Sequence, residues 1–386
     1  MEPAALNASD TQWICDRAQH VGFELCGVAA AEKFPELERF PEWLKRGYAG
    51  EMKYLSDPRR LDPQSAMSNV RSLIVCALNY NSALPYSTDR TVLDGEESPR
   101  GWISRYAWGG DYHEVLWTKL NALVAEMKAH FASSEPFEAR AYADTGPIHE
   151  RAAAKYAGLG WLGKNTLLIN QGAGSWLFLG AILTTLRFAP TLGPDKMPPP
   201  DRCGTCRACI DACPTQAIVE PYLLDATRCI SYLTIELRGS IAEDLREPMG
   251  HHVFGCDICQ DVCPWNRKSA RTDAPEFEPR KLSKDTGNPE ESSLFRPDLL
   301  QLANLSEAEF REDFRDSPIK RAKWRGLLRN ACIALGNSGL RPGNSVYPEA
   351  LSSLLKLSES RDVVISESAR WALSRIQPGD NRFGGG

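Results

Sequence analysis

Apolar and polar positions along the first half of the chain follow two alternating periods. Thr11 to Val21 repeats apolar residues at helical spacing, and Phe23 to Ala29 follows as a strand. Pro35 to Arg46 is again amphipathic, whereas Ser72 to Asn79 (SLIVCALN) is a continuous apolar run, the mark of a strand covered on both faces. Asp111 predicts a helix N-cap with Glu114 at the third helical position, and Leu116, Leu120, Leu123 and Met127 follow at helical spacing. Tyr112 and His113 are thereby expected on an exposed first turn. Ala139 to Ala143 predicts a strand and Ile148 to Ala157 a helix, so Asp144 falls at a strand-to-helix junction. Such alternation predicts an α/β (or α+β) layer architecture.

Further along, Asn165 to Leu186 carries no charge and is long enough to raise the question of a membrane span. Asn170 to Ser175 interrupts it with turn residues, which predicts a buried hairpin from Thr166–Ile169 and Trp176–Leu183. Prolines at 190, 194 and 198–200 then mark a stiff linker. Ser269 to Pro297 is polar and is expected to wrap over the other domains. From Ile319 onward the pattern is helical, and Asn330–Leu335 aligns with Ser368–Leu373, as in helical repeats of the HEAT type. The last residues, Arg382 to Gly386, are expected to fray. The predicted layout is an α/β domain over 1–196, a cysteine-rich domain over 197–285 and an all-α, HEAT-like region over 286–386.

Composition adds limits. Hydrophobic residues make up 42% and charged residues 25%, which suits a folded protein and not a disordered one. The N-terminus lacks the basic and apolar stretches of a secretory signal, which predicts a cytoplasmic protein without membrane attachment. A net charge of -5 offers no global footprint for nucleic acid, so any such surface must be local. In a reducing compartment, 12 cysteines point to metal or redox chemistry rather than to disulfides.

Eight of those cysteines have a revealing order. Cys203, Cys206, Cys209 and Cys213-Pro214 form C-x2-C-x2-C-x3-C-P, in which three thiolates of one tight loop reach one cubane and the fourth ligates another. Cys256, Cys259 and Cys263-Pro264 repeat the pattern without its first cysteine, which Cys229 can supply. Crossing the fourth ligands gives one 4Fe-4S cluster on Cys203, Cys206, Cys209 and Cys263, and another on Cys213, Cys229, Cys256 and Cys259. Zinc also uses four thiolates, but a zinc ribbon requires neither the triple x2 spacing nor a proline after each closing cysteine. Cys15, Cys26, Cys76 and Cys332 lie in apolar patterns and are expected in the core. Two clusters carry electrons and need a catalytic partner elsewhere.

Tyr142-Ala-Asp-Thr-Gly-Pro147, Glu150-Arg151, Gly158 to Asn165, Gly174-Ser-Trp, the ferredoxin-like run and Phe254 to Asn266 together resemble the epoxyqueuosine reductase family over nearly the whole chain. The resemblance implies reduction of epoxyqueuosine to queuosine at the wobble position of a tRNA anticodon, with cobalamin between the N-terminal domain and two 4Fe-4S clusters fed by an external low-potential donor. It implies Asp144 as proton donor, a role that requires burial to raise its pKa well above about 3.9; the reading from residues alone is a helix cap. It also implies cofactor or substrate contacts for Arg60, Tyr112, His113 and Arg151, each of which could instead be a surface group. Arg151 follows Asp144 by seven residues, close to two helical turns, so both are expected to face one cavity.

Corrin proteins that place a histidine under cobalt use Asp-x-His-x-x-Gly. The nearest match, Asp111-Tyr-His113, lacks the glycine, so base-off cobalamin without a protein histidine is expected. Lys320, Arg321, Lys323 and Arg325, with Trp324 interleaved and Arg329 following, form a basic helix start suited to tRNA phosphates, or simply a solvated face. Three other readings compete: a small-molecule reductase of the dehalogenase type, an electron-transfer module, and a helical adaptor with structural clusters.

Overall fold

The computed structural model describes residues 6–89, 98–132, 136–193, 197–282 and 293–377. Four strands form its main sheet: β1 (Leu25–Ala30), β2 (Ser72–Asn79), β3 (Ala139–Tyr142) and β4 (Leu177–Thr184), in the order β1-β2-β4-β3. Every neighbouring pair is antiparallel, with Ser72 opposite Thr184 and Asn79 opposite Leu177 at the two ends of the β2–β4 pair. The expected mixture of helices and strands is present, but the central apolar run belongs to an α+β sheet and not to a parallel one. Double coverage, which parallel sheets usually require, arises here because helices lie on both faces of an antiparallel sheet.

On one face α1 (Ala8–His20) and α2 (Tyr112–His130) bury Ile14, Ala18, Leu116, Leu120, Leu123 and Met127 against Val28, Ile74 and Cys76. On the other, α3 (Glu150–Tyr156) packs Ala152 to Ala154 against Leu73, Val75 and Ala181. Gly27 permits this contact, since a Cβ there would lie 2.2 Å from the Ala157 carbonyl. The apolar runs around 165–186 do not pair with each other. Leu168–Ile169 pairs with Trp161–Leu162, and Trp176 leads into β4, because Asn170 turns the chain back through a bridge to Gly174.

The C-terminal helices are α4 (Lys323–Asn337), α5 (Tyr347–Ser358) and α6 (Val363–Ile376). Their core, with Leu327, Ala331, Leu335, Ala369 and Leu373, is continuous with Trp102, Ile103, Val253 and Phe254 from the two preceding regions. A parallel pairing of His252–Phe254 with Trp102–Ile103 ties those regions together. Among the described residues no helix is long and apolar enough to cross a membrane. Pro194, most of the polar stretch after Lys281 and the terminal Arg382–Gly386 lie outside the described residues.

Candidate active site

The loop after β3 places Asp144 in the left-handed region, at φ 58°, with Gly146 packed so closely on Tyr142 that a Cβ would lie 2.4 Å from its ring. An L residue in this conformation costs on the order of 1 kcal/mol, so the surrounding structure must impose it. The carboxylate faces an open cleft, 65% accessible, and accepts a hydrogen bond from the Tyr112 hydroxyl at 2.7 Å. His113 Nε2 stands 3.6 Å from the same oxygen.

Tyr112 and His113 are therefore half-buried, not on a free first turn. Asp111 caps α2 by accepting the His113 amide at 3.2 Å, and its other oxygen binds Lys320 Nζ at 2.7 Å. The Tyr112 ring stacks on His113 at 4.1 Å and on Phe178 of β4 at 4.5 Å. The helix start is held between the sheet and the C-terminal region.

Electrostatics reverse one expectation. Partial desolvation tends to raise Asp144, but the close approach and charge of His113, the Tyr112 hydrogen bond and the charge of Arg151 outweigh it, and the carboxyl sits below its ordinary range. Burial likewise tends to lower His113, yet Asp111 and Asp144 hold it up at about 9. Glu150 is the group that burial raises, to about 7.

Arg151 does not share a helical face with Asp144, because helix begins only at Glu150. Its guanidinium donates to the Thr166 carbonyl at 2.7 Å while its charge still reaches Asp144. Arg60 lies over the Tyr54 ring at 5.6 Å. Arg321 approaches the same ring at 5.4 Å and pairs with Glu236 at 2.9 Å. Lys320 and Arg325 are also paired, with Asp111 and Asp362, each at 2.7 Å. Of the four basic residues only Lys323 extends to solvent without an acidic partner among the described residues, while Arg329 is buried. Charge counting along a sequence does not reveal such pairing. The same holds for the pairing of Lys320 with Asp111 and for the approach of Tyr54 and Glu150 to Asp144.

The cysteine-rich region brings eight thiols into two neighbourhoods. Cys203, Cys206, Cys209 and Cys263 line a cavity of about 250 Å³ together with Lys164, Arg202 and Trp265. Lys164 braces its loop by donating to the carbonyls of Gly204 and Cys206 at 2.5 and 2.9 Å. In the second neighbourhood burial pushes the thiols of Cys229, Cys256 and Cys259 above their ordinary range, and their mutual proximity, with that of Cys213 to Cys229 and Cys259, adds to it. Four thiols spread around a cavity suit a cubane, whereas a single ion would draw them to one point. Gly255 precedes Cys256 at φ 71°, and a Cβ there would lie 2.5 Å from Ser104, so glycine is required at this turn. Cys76 and Cys332 are fully buried, as expected; Cys15 and Cys26 are partly accessible.

Comparison with known proteins agrees with this arrangement. Residues 202–266 match the family described as 4Fe-4S double cluster binding domain, which supports iron-sulfur clusters in this region. Residues 60–145, which include Asp144 and the start of α2, match the family described as Epoxyqueuosine reductase QueG, DUF1730. The epoxyqueuosine reductase of Xanthomonas campestris is 37% identical over 93% of this chain and 94% of its own length. A crystal structure of epoxyqueuosine reductase with an epoxyqueuosine-modified tRNA-Tyr stem loop superposes with a TM-score of 0.80 at 30% identity, covering 95% of this chain and 90% of that one. The enzyme from Bacillus subtilis, solved with its catalytic aspartate loop swung out of the active site, gives 0.77 at 30% identity with the same coverage. The chain belongs to the epoxyqueuosine reductase family and is an oxidoreductase.

Proposed function

We propose that this protein reduces epoxyqueuosine to queuosine at the wobble position of tRNA anticodons, the last step of queuosine formation, in the cytoplasm. The observation that carries the reading is the Asp144 site: a strained carboxylate at an open cleft, hydrogen-bonded to Tyr112 and beside His113, in a chain of this family. Similarity to a relative solved with a modified tRNA stem loop supports tRNA as the substrate. An external low-potential donor would feed one cluster on Cys203, Cys206, Cys209 and Cys263 and a second on Cys213, Cys229, Cys256 and Cys259.

Removing the epoxide oxygen as water consumes two electrons and two protons, and Asp144 is the group that passes a proton to that oxygen. Cobalamin, when bound at the cleft, supplies a low-potential metal able to engage carbon. Its amide-rich rim needs polar partners. Arg60 and Arg151 border the cleft, and the buried Glu150 Oε1 and His149 Nε2 have no partner among the described residues. Both ring nitrogens of His113 face carboxylates, which supports a base-off cofactor without a histidine ligand. Lys323 is the residue best placed to meet tRNA phosphate, and Lys320, Arg321 and Arg325 would join it only by leaving their carboxylates.

The layout that fits this function is a catalytic domain over 1–196, a ferredoxin-like domain over 197–285 and a HEAT-like region over 286–386. Close packing of α4 on α6 supports the last, since a Cβ on Gly336 would lie 2.7 Å from Trp371 and 2.9 Å from the Ala372 Cα. The decisive experiment is anaerobic incubation of the reconstituted protein with epoxyqueuosine-tRNA, cobalamin and a strong reductant, followed by nucleoside mass analysis. Loss of one oxygen from the modified base is expected. An unchanged base with intact clusters and bound cobalamin would refute the assignment.

A further inference from the structure

A proton donor must hold a proton when the reaction begins, and the surroundings of Asp144 favour its ionised form. Its carboxyl is held below the ordinary range by the Tyr112 hydroxyl, His113 and Arg151. The proton lies one residue away. Lys320 Nζ donates to Asp111 Oδ2 at 2.7 Å, Asp111 Oδ1 meets His113 Nδ1 at 2.6 Å, and His113 Nε2 stands 3.6 Å from Asp144 Oδ2. At neutral pH this row alternates in charge: ammonium, carboxylate, imidazolium, carboxylate. Asp111 is nearly inaccessible and His113 is 23% exposed, so water screens the Asp111–His113 pair poorly.

We propose that His113 is the proton store of the reductase site and recharges Asp144, with Asp111 positioning its ring and Lys320 pinning Asp111 from the C-terminal region. The inference rests on the reductase reading given above. In the transfer the His113 Nε2–H bond breaks and an O–H bond forms on Asp144 Oδ2, leaving a neutral imidazole and a carboxylic acid. Asp144 then yields that proton to the departing epoxide oxygen. A second proton from solvent, to which Asp144 is open, completes water, and the two electrons arrive through the clusters from the external donor.

The geometry suits a relay better than a simple ion pair. The ring is fixed by stacking on Tyr112, and a short closure of the 3.6 Å gap forms the transfer bond. The Tyr112 hydroxyl already donates to the same Oδ2, which holds that oxygen beside the imidazole. The other charged or titratable groups facing the pair are Arg151 and Glu150 from α3, Tyr106 from the turn before α2, Tyr54, and the Arg321–Glu236 pair. Arg151 and Arg321 favour the anionic Asp144, whereas Glu150 opposes it when ionised.

Two measurements test the relay. Histidine-labelled protein with oxidised clusters can be titrated by nuclear magnetic resonance. His113 should titrate near 9, and Asp111→Asn should bring it at least one pH unit closer to the ordinary 6.5. Lys320→Met removes the neighbouring cation and should move it the opposite way by less, which keeps the test available if Asp111→Asn folds poorly. Single-turnover reduction of epoxyqueuosine-tRNA should show an alkaline limb that follows the His113 titration in each protein. His113→Gln should slow the step by about 100-fold and remove that limb. A wild-type His113 titrating at or below 6.5, or an alkaline limb unmoved in Asp111→Asn, would overturn the proposal. Because the titration needs no turnover, a protein inactive on this tRNA would refute the reductase reading while the relay is still judged by its resonance.

Discussion

Asn330 offers a quantitative test of how the C-terminal helices hold the cluster region. It is fully buried in α4, and its amide donates to the carbonyls of Thr234 at 2.9 Å and Val253 at 2.8 Å. Thr234 ends a segment that starts beside Cys229, and Val253 lies three residues before Cys256, so one side chain fastens two cysteine-bearing segments. Its Oδ1 accepts from Arg329, whose guanidinium also binds the carbonyls of Leu237 and Gly239 at 2.8 and 2.7 Å. Asn330→Ala leaves two buried carbonyls without donors, each costing about 1–3 kcal/mol, or about 4 kcal/mol together. With an m-value of about 3 kcal/mol/M, the urea midpoint should fall by roughly 1 M. Visible absorption of the clusters and far-ultraviolet circular dichroism, followed anaerobically in urea, would measure it. The variant should also lose iron preferentially from the set containing Cys229 and Cys256. A midpoint shift below about 0.3 M, or equal loss from both clusters, would refute the clasp.

Glu150 predicts a pH dependence. Its folded pKa of about 7 exceeds the ordinary 4.5, so the folded state retains a proton that the unfolded chain releases, and stability falls as pH rises between those values. The loss is up to about 3 kcal/mol, and Glu150→Gln should abolish that slope; identical pH profiles of urea stability in the two proteins would exclude the effect. For tRNA, Lys323→Ala should reduce the slope of log affinity against log salt by about 0.7–0.9, whereas Arg325→Ala, already neutralised by Asp362, should change it little. Equal changes would place the phosphate contact elsewhere.

The parts of the molecule legible in the sequence are those governed by local rules. Ser72–Asn79 emerged at the predicted boundaries because an eight-residue apolar run has few alternatives, and Asp111 capped its helix because side-chain capping depends only on neighbours. Cys263 lines one cavity with Cys203, Cys206 and Cys209, the four that the spacing assigns to one proposed cubane. Strand direction was not legible, because an apolar run is equally compatible with either partner direction when helices cover both faces. The sign of the Asp144 shift was also hidden. It depends on Tyr112, His113 and Arg151 converging from α2 and α3, and a burial argument from the loop alone supplies only the opposing contribution. Lys320 follows the same logic. Read along the chain it belongs to a basic run, but folding brings it 209 positions back to Asp111, where its charge supports the site rather than its surroundings. Long-range pairing therefore decides which charges are free to act. In this protein it favours the ionised form of the candidate donor and, among the described residues, leaves Lys323 as the unpaired cation of the four.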